Sequence, residues 1–485
     1  MSYDYWSKVK EHIWRHLKDD DLSPQIGEIL SLSFNDLSPQ MKDCFLYLAR
    51  YPEDHVIDPD ELKHLWIAEE FISEAEEGEG VIMEDLAEDC LKELIDRNLL
   101  QVNDLRWNGE VKSFRVHDLV RDLSIKKAKE NKLLVVLDSG KHHPERIHLL
   151  EGQPRHVIYN EIGEYLKLVD YRFDALRLHS LTVVNYLSGK DELKEMKLAC
   201  VRFKNLKVLV MTSVYSKIIP EEIGDSVHLK YLGLMGQGDY SDDPIEIPAS
   251  IGKLKKLQTL HGGRRTYYTV PRENIGKHQT KLQTLLRISC KEWMKIDTVN
   301  LTNLHTLCIY REKYQSNTIN NSYTLESVAN LTSLQTFTLF FKFPEIPTLK
   351  PLSSCNRLKS VSLVGTLKDL SELRHLPDSI TDLSLRESQF TEDPMPTLGS
   401  FSNLTALELD NVYMDNVYRG NKMVCSENGF RSLQILKLDR FLNLEELEVG
   451  DGAFPSLKQF QTVICRKLKN IPVQLAERVS PWVHS

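Results

Sequence analysis

Leu229-Lys230-Tyr231-Leu232-Gly233-Leu234 reads L-x-x-L-x-L, and variants of the same phrase recur from Leu178 onward. Units start at Leu178, Leu206, Leu229, Leu257, Leu282, Leu304, Leu334, Leu358, Ile380, Leu404, Leu433 and Leu457, at steps of 22–30 residues. Steps of that size belong to leucine-rich repeats, the longest needing only a slightly larger loop. One unit, a short strand with an irregular return, cannot bury its own apolar edge. The units therefore stack into a curved solenoid that binds other molecules and carries no chemistry of its own.

Within each unit the outer leucines face the core and the residues between them face the concave side. That assignment puts Val208, Val210, Tyr231, Met235, Thr306, Tyr310, Thr336 and Phe340 on the concave face in the first part. Asp382, Arg386, Glu408, Asp410, Lys437 and Asp439 follow in the later part. An apolar, aromatic patch grades into a charged one, which suits a protein partner. The residues chosen as partner contacts are Tyr231, Met235, Tyr310, Phe340, Arg386, Glu408, Asp410 and Lys437.

Ahead of the repeats, residues 25–130 read as helices around one strand pair. Ile26, Ile29, Leu30 and Phe34 lie at helical spacing, and Asp36-Leu37-Ser38-Pro39 marks a stop and restart. Met41, Cys44, Phe45 and Leu48 form the next stripe. Asp58 reads as an N-cap with Glu61 as its capping-box partner, followed by Leu62, Leu65 and Trp66. A further helix runs from about Val81 through Leu94. Asn108-Gly109 is a tight-turn signal between strands at Leu99–Val102 and Val111–Val116. Asp118 then caps a helix ending in Lys126, Lys127 and Lys129, where cations suit the dipole. Helices followed by a hairpin make a winged helix. The expected fold is therefore multidomain, a mainly α winged-helix domain followed by an α/β leucine-rich-repeat solenoid. The boundaries expected are 1–24 for a preceding helical remnant, 25–130 for the winged helix, 131–177 for a linker and repeat cap, and 178–485 for the repeats.

Charge argues against nucleic acid. Residues 1–150 hold 32 acidic and 19 basic side chains, a net of −13, and 58–89 hold 13 acidic residues against Lys63 alone. Phosphate binding needs the opposite sign. No apolar run of 18 residues occurs, so no transmembrane helix is expected, and the charged start is not a signal peptide. The eight cysteines are scattered without C-x-x-C, which fits reduced thiols of a cytoplasmic protein. Cys44 and Cys90 are read as buried. The spacing of His142, His143, His148 and His156 in a polar linker fits no metal site. Phe45, Tyr47 and Trp66 are read as core, and acidic pairs such as Glu69-Glu70 and Glu76-Glu77 as a solvated face. No catalytic residues and no metal ligands are expected.

Four motifs in order sharpen this reading. Ile29–Leu37, then Cys44-Phe45-Leu46-Tyr47-Leu48 with Tyr51-Pro52-Glu53-Asp54, then Leu65-Trp66-Ile67-Ala68-Glu69 and Phe114-Arg115-Val116-His117-Asp118-Leu119 resemble segments of plant nucleotide-binding leucine-rich-repeat immune receptors, coiled-coil class. Two departures stand out: Glu70 replaces the family's Gly before Phe71, and Val116 replaces Met in the methionine-histidine-aspartate motif. The resemblance implies a disease resistance protein of innate immunity, linked to the hypersensitive response, that recognises a pathogen effector or a guarded host protein. It implies that the winged helix couples recognition to an ADP/ATP switch, with His117 reaching the β-phosphate of ADP and Asp118 fixing the loop.

No G-x-x-x-x-G-K-[ST] occurs in the chain; Gly233-Leu234-Met235-Gly236-Gln237-Gly238 lies inside a repeat and reads as a loop. The family's phosphate loop, magnesium site and coiled coil are expected upstream of these residues. The chain is thus expected to bind no nucleotide alone and to have no ATPase activity. A truncated receptor, a fragment and a shortened natural homologue remain open. The alternative function is a nucleotide-independent regulator or adaptor acting in trans on full-length receptors. A ubiquitin-ligase adaptor would need an F-box, and Leu37–Leu48 is better explained by the Cys44–Asp54 resemblance. Location is expected to be cytoplasmic, with peripheral membrane or nuclear association compatible.

Overall fold

A computed structural model describes residues 30–52, 54–72, 82–131, 133–138, 156–160, 178–184, 192–212, 218–235, 245–263, 268–269, 275–276, 279–311, 323–367, 369–411, 420–469, 471–472 and 475. The chain divides into two compact units, residues 1–105 with 111–182, and 106–110 with 183–485.

In the first unit the described residues start with the helical stretch 30–35. Ser38 caps α1 (Pro39–Tyr47) by accepting from the Met41 N–H, with Pro39 at the first position, where its missing N–H costs nothing. Asp58 caps α2 (Pro59–Ala68), accepting from Asp60 N. α2 ends in a Schellman motif: Phe71 N donates to Trp66 O and Glu70 N to Ile67 O, with Glu70 left-handed at φ 65°. α3 (Met83–Asp96) ends the same way, with Asn98 at φ 57°. The hairpin is β1 (Gln101–Leu105) against β2 (Val111–Arg115), antiparallel. Gly109 takes φ 85°, as the Asn-Gly signal requires. Ile57 bridges Phe114 as a third short strand, which completes the wing. α4 (Asp118–Glu130) follows. Phe45, Tyr47, Trp66, Leu65 and Phe114 form the core, each nearly inaccessible. This is a winged helix.

Residues 131–177, read as a linker and repeat cap, hold two parallel strands, β3 (Leu134–Asp138) and β4 (His156–Asn160). β5 (Ser180–Val184) neighbours β4.

The second unit is a parallel sheet. After α5 (Glu192–Arg202) come β6 (Val208–Thr212), β7 (Tyr231–Met235), β8 (Ile245–Glu246), β9 (Thr259–Gly262), β10 (Tyr268–Thr269), β11 (Thr284–Ser289), β12 (Thr306–Arg311), β13 (Thr336–Glu345), β14 (Ser360–Thr366), β15 (Asp382–Arg386), β16 (Ala406–Asp410), β17 (Lys422–Cys425), β18 (Ile435–Asp439), β19 (Glu446–Val449) and β20 (Gln459–Val463). Its main path is β6-β7-β9-β11-β12-β13-β14-β15-β16-β18-β20, while β17 and β19 pair with each other as a separate two-stranded parallel sheet. Short 3-10 turns such as Glu221–Asp225, Ala249–Lys253 and Lys350–Ser354 make the returns.

Every one of the twelve repeat starts runs into a strand. In register, Leu232, Leu260, Leu285, Leu307, Phe337, Val361, Leu383, Leu407, Leu436 and Phe460 form one ladder. All ten are buried. Burying a side chain of this size is worth about 1.5–3 kcal/mol, and no single unit could bury its own.

Candidate functional site

Alternation along the strands sends the residues between the ladder positions to the opposite face. One register row there runs Tyr310, Phe340, Val364, Arg386, Asp410, Asp439, Val463 across β12, β13, β14, β15, β16, β18 and β20. Neighbours in the row are about 4.8 Å apart. Its first part is an aromatic shelf. The Tyr310 and Phe340 rings stack at 5.2 Å, both partly exposed, and the Arg287 guanidinium lies 5.6 Å from the Tyr310 centroid.

Its later part is a charged ledge. Asp410 is buried, its side chain 2% exposed, and accepts from Arg440 Nη2 at 2.8 Å on each oxygen and from Arg440 Nε at 3.0 Å. Arg386 Nε donates to Asp410 Oδ2 at 3.1 Å. Beside them Lys437 Nζ donates to Glu408 Oε1 at 3.0 Å and lies 3.6 Å from Asp439 Oδ2, while Ser384 Oγ donates to Glu408 Oε2 at 2.7 Å. Burial, reinforced by the Asp410 and Glu408 charges, lifts the Asp439 carboxyl above the usual range against the pull of Arg440 and Lys437. Asp439 Oδ1 has no hydrogen-bond partner among the described residues.

The acids thus lie beneath and the cations outside, which corrects the reading of Glu408 and Asp410 as surface contacts. Of the other residues expected on this face, Arg386, Lys437, Tyr310, Phe340 and Met235 are partly exposed. Tyr231 is not. It is fully buried, its hydroxyl 2.8 Å from His261 Nδ1, with Gly233 leaving room for its ring. Val208, Val210 and Asp439 are buried as well.

Arg440 was not expected on this face. It follows the strand, and strict alternation ends at Asp439. Its left-handed φ of 60° turns the chain, its N–H bonds to Val463 O, and its side chain comes back over Asp410. Arg287 reaches Tyr310 from a similar left-handed position, φ 67°, where the register between β11 and β12 shifts. Only the basic residue next to each strand phrase could have hinted at either.

His117, not Asp118, is the N-cap of α4. Its Nδ1 accepts from Leu119 N at 3.4 Å, so in the neutral ring the proton sits on Nε2. Asp118 is the first helical residue and is exposed. His117 is partly buried between Val116, which is buried, and the helix.

Two residues dismissed by composition are central to the first unit. Glu69, expected on a solvated face, is buried, and His156, expected in a polar linker, is buried on β4. His156 Nδ1 lies 3.1 Å from Glu69 Oε1, and Tyr47 Oη donates to the same oxygen at 3.2 Å. Arg50 Nη1 donates to Tyr47 Oη at 2.6 Å and Nη2 to Thr182 at 2.8 Å. Tyr47 and Phe71 meet the His156 ring edge-on. Burial alone would raise the Glu69 carboxyl, but His156, Ser180 and Arg50 outweigh it and hold it below the usual range. Of the two cysteines, Cys44 is buried and its thiol pushed up by burial, whereas Cys90 is partly exposed. His142, His143, His148 and Glu76-Glu77 lie outside the described residues, as do Gly236–Gly238. No described helix is long and apolar enough to cross a membrane.

A winged helix followed by leucine-rich repeats defines the class of protein. Comparison with known families gives the same two parts. The disease resistance protein winged helix domain matches residues 51–124, and a leucine-rich repeat region matches 177–389 and 245–476. Disease resistance RPP13-like protein 3 of Arabidopsis thaliana is 32% identical over 99% of this chain and 54% of its own length. Disease resistance protein RPP13 of the same plant is 32% identical over 95% of this chain and 52% of its own. Among solved structures, a leucine-rich-repeat protein of Leptospira interrogans aligns over 74% of this chain and 94% of that one at 18% identity, TM-score 0.38. The chain belongs to the plant disease resistance proteins that join a winged helix to leucine-rich repeats. It spans about half the length of the curated relatives it matches.

Proposed function

We propose that the chain is the recognition part of a plant immune receptor and binds a pathogen effector or a guarded host protein through the row from Tyr310 to Asp439. The observation that carries this is the stacked Tyr310–Phe340 pair, left partly exposed in the same row as the ordered charges. Aromatic anchors with arginine beside them are the residue types that dominate protein interfaces. The winged helix would couple recognition to an ADP/ATP switch, with His117 as its contact. The Nδ1 cap supports this, because it holds the ring in a fixed orientation at the start of α4. By itself the chain carries no phosphate loop, and we read it as neither an ATPase nor a tight nucleotide binder.

Calorimetry of ADP and ATP against the 485-residue chain and its His117→Ala variant tests the nucleotide half. No heat of binding is expected. ATP turnover, or binding lost in the variant, would overturn it. Tyr310→Ala and Phe340→Ala test the recognition half against an effector or guarded protein recovered with the intact receptor. Each should weaken binding by more than about tenfold.

A further inference from the structure

We infer that the ledge at Arg386 receives a carboxylate from an acidic segment of the protein partner. This rests on the reading of the concave face as the recognition surface and gives that surface its chemistry.

The cations are the outer layer. Arg386 is 43% exposed and Arg440 33%, over an Asp410 that is 2% exposed. Arg386 commits Nε to Asp410, and neither of its Nη atoms makes a hydrogen bond among the described residues. Its terminal edge therefore carries four N–H donors at a guanidinium whose orientation Asp410 already holds. Asp410 is held in turn by Arg440, so little side-chain freedom is left to lose when a ligand arrives. A planar fork of parallel N–H groups matches the two oxygens of a carboxylate.

The same observations select the class of partner. Three acids, Glu408, Asp410 and Asp439, lie under three cations, Arg386, Lys437 and Arg440, so the ledge projects little long-range field. Nucleic acid needs many cations with no acids beneath them. A single short-range fork suits one acidic side chain instead. Two strands away along the same row, roughly 10 Å, the Tyr310–Phe340 shelf offers an apolar anchor. An acidic residue near an aromatic or aliphatic one, on an extended partner segment, fits both.

The test uses fluorescence anisotropy of the full chain with three labelled probes: an alternating Glu-Tyr peptide, an alternating Lys-Tyr peptide and an oligothymidine. The Glu-Tyr peptide should bind best, and more weakly as salt rises. Arg386→Gln should weaken it about tenfold, with Arg386→Lys between the two. Unchanged thermal unfolding of Arg386→Gln establishes that the variant folds. Equal binding of the two peptides, tighter oligothymidine binding, or no effect of Arg386→Gln would each overturn the assignment. Tyr310→Ala separates the two readings. If it weakens binding while Arg386→Gln does not, the face recognises protein but not through a carboxylate. If neither variant matters, the recognition reading itself fails.

Discussion

At the scale of single residues, Glu69 and Glu70 behave oppositely although they are adjacent. Glu69 ends α2 facing inward, where His156, Tyr47 and Arg50 surround it. Removing one member of a buried pair strands the other, so Glu69→Ala should cost about 3 kcal/mol in urea unfolding. The Glu69 carboxyl is held below its unfolded value of about 4.3. Its stabilisation is therefore present above that pH and lost as pH falls through the lower folded value. The stability gap between wild type and Glu69→Gln should be constant near neutrality and close below about pH 4; a gap that persists at lower pH would refute the pairing. Glu70 sits at φ 65°, a conformation that costs a side chain about 1 kcal/mol or more and glycine almost nothing. Glu70→Gly, which restores the family's residue, should raise stability by up to about 1 kcal/mol, visible as a higher urea midpoint.

At the scale of elements, ends matter more than interiors. Asp58 satisfies an orphan N–H of α2, and Asp58→Ala should cost about 1 kcal/mol by chemical denaturation. Loss of nothing measurable would mean that solvent caps the helix equally well. Gly365 in strand β14 takes φ 141°, and an added Cβ there would lie 2.4 Å from Phe341 O. That backbone atom cannot swing aside as a side chain would. Gly365→Ala should therefore destabilise by about 1–3 kcal/mol and disturb β13 with β14, read as faster amide exchange in both strands.

At the scale of the whole molecule, the second unit is held together by contacts between successive units. Leu383 lies inside the buried ladder between Val361 and Leu407. Leu383→Ala should cost about 2–5 kcal/mol through its cavity. Because each repeat rests on its neighbours, the loss should appear as a split unfolding transition, with strands after β15 cleaved first in limited proteolysis. A single cooperative transition merely shifted in midpoint would show that the solenoid unfolds as one block.

The twelve leucine phrases, the Asn-Gly turn, the restart at Asp36-Leu37-Ser38-Pro39 and the Asp58 cap were legible from the chain alone, because each depends on local geometry and on periodicity. The four ordered motifs also identified the family. The strand β3 escaped because too few phrases stood around it to establish a period. Composition placed Glu69 and His156 in water, since charged and polar residues usually are; only packing brought them together across 87 residues of sequence separation, where each makes burial of the other tolerable. Alternation alone predicted which side chains share the concave face. Which of them are covered was decided by their neighbours: Tyr231 lies down over Gly233, Asp410 sinks beneath two arginines, and Arg440 returns through a left-handed residue that no period of two anticipates. Periodicity thus determines the scaffold one unit at a time, whereas exposure and charge pairing are set between units and exist only once the strands are stacked.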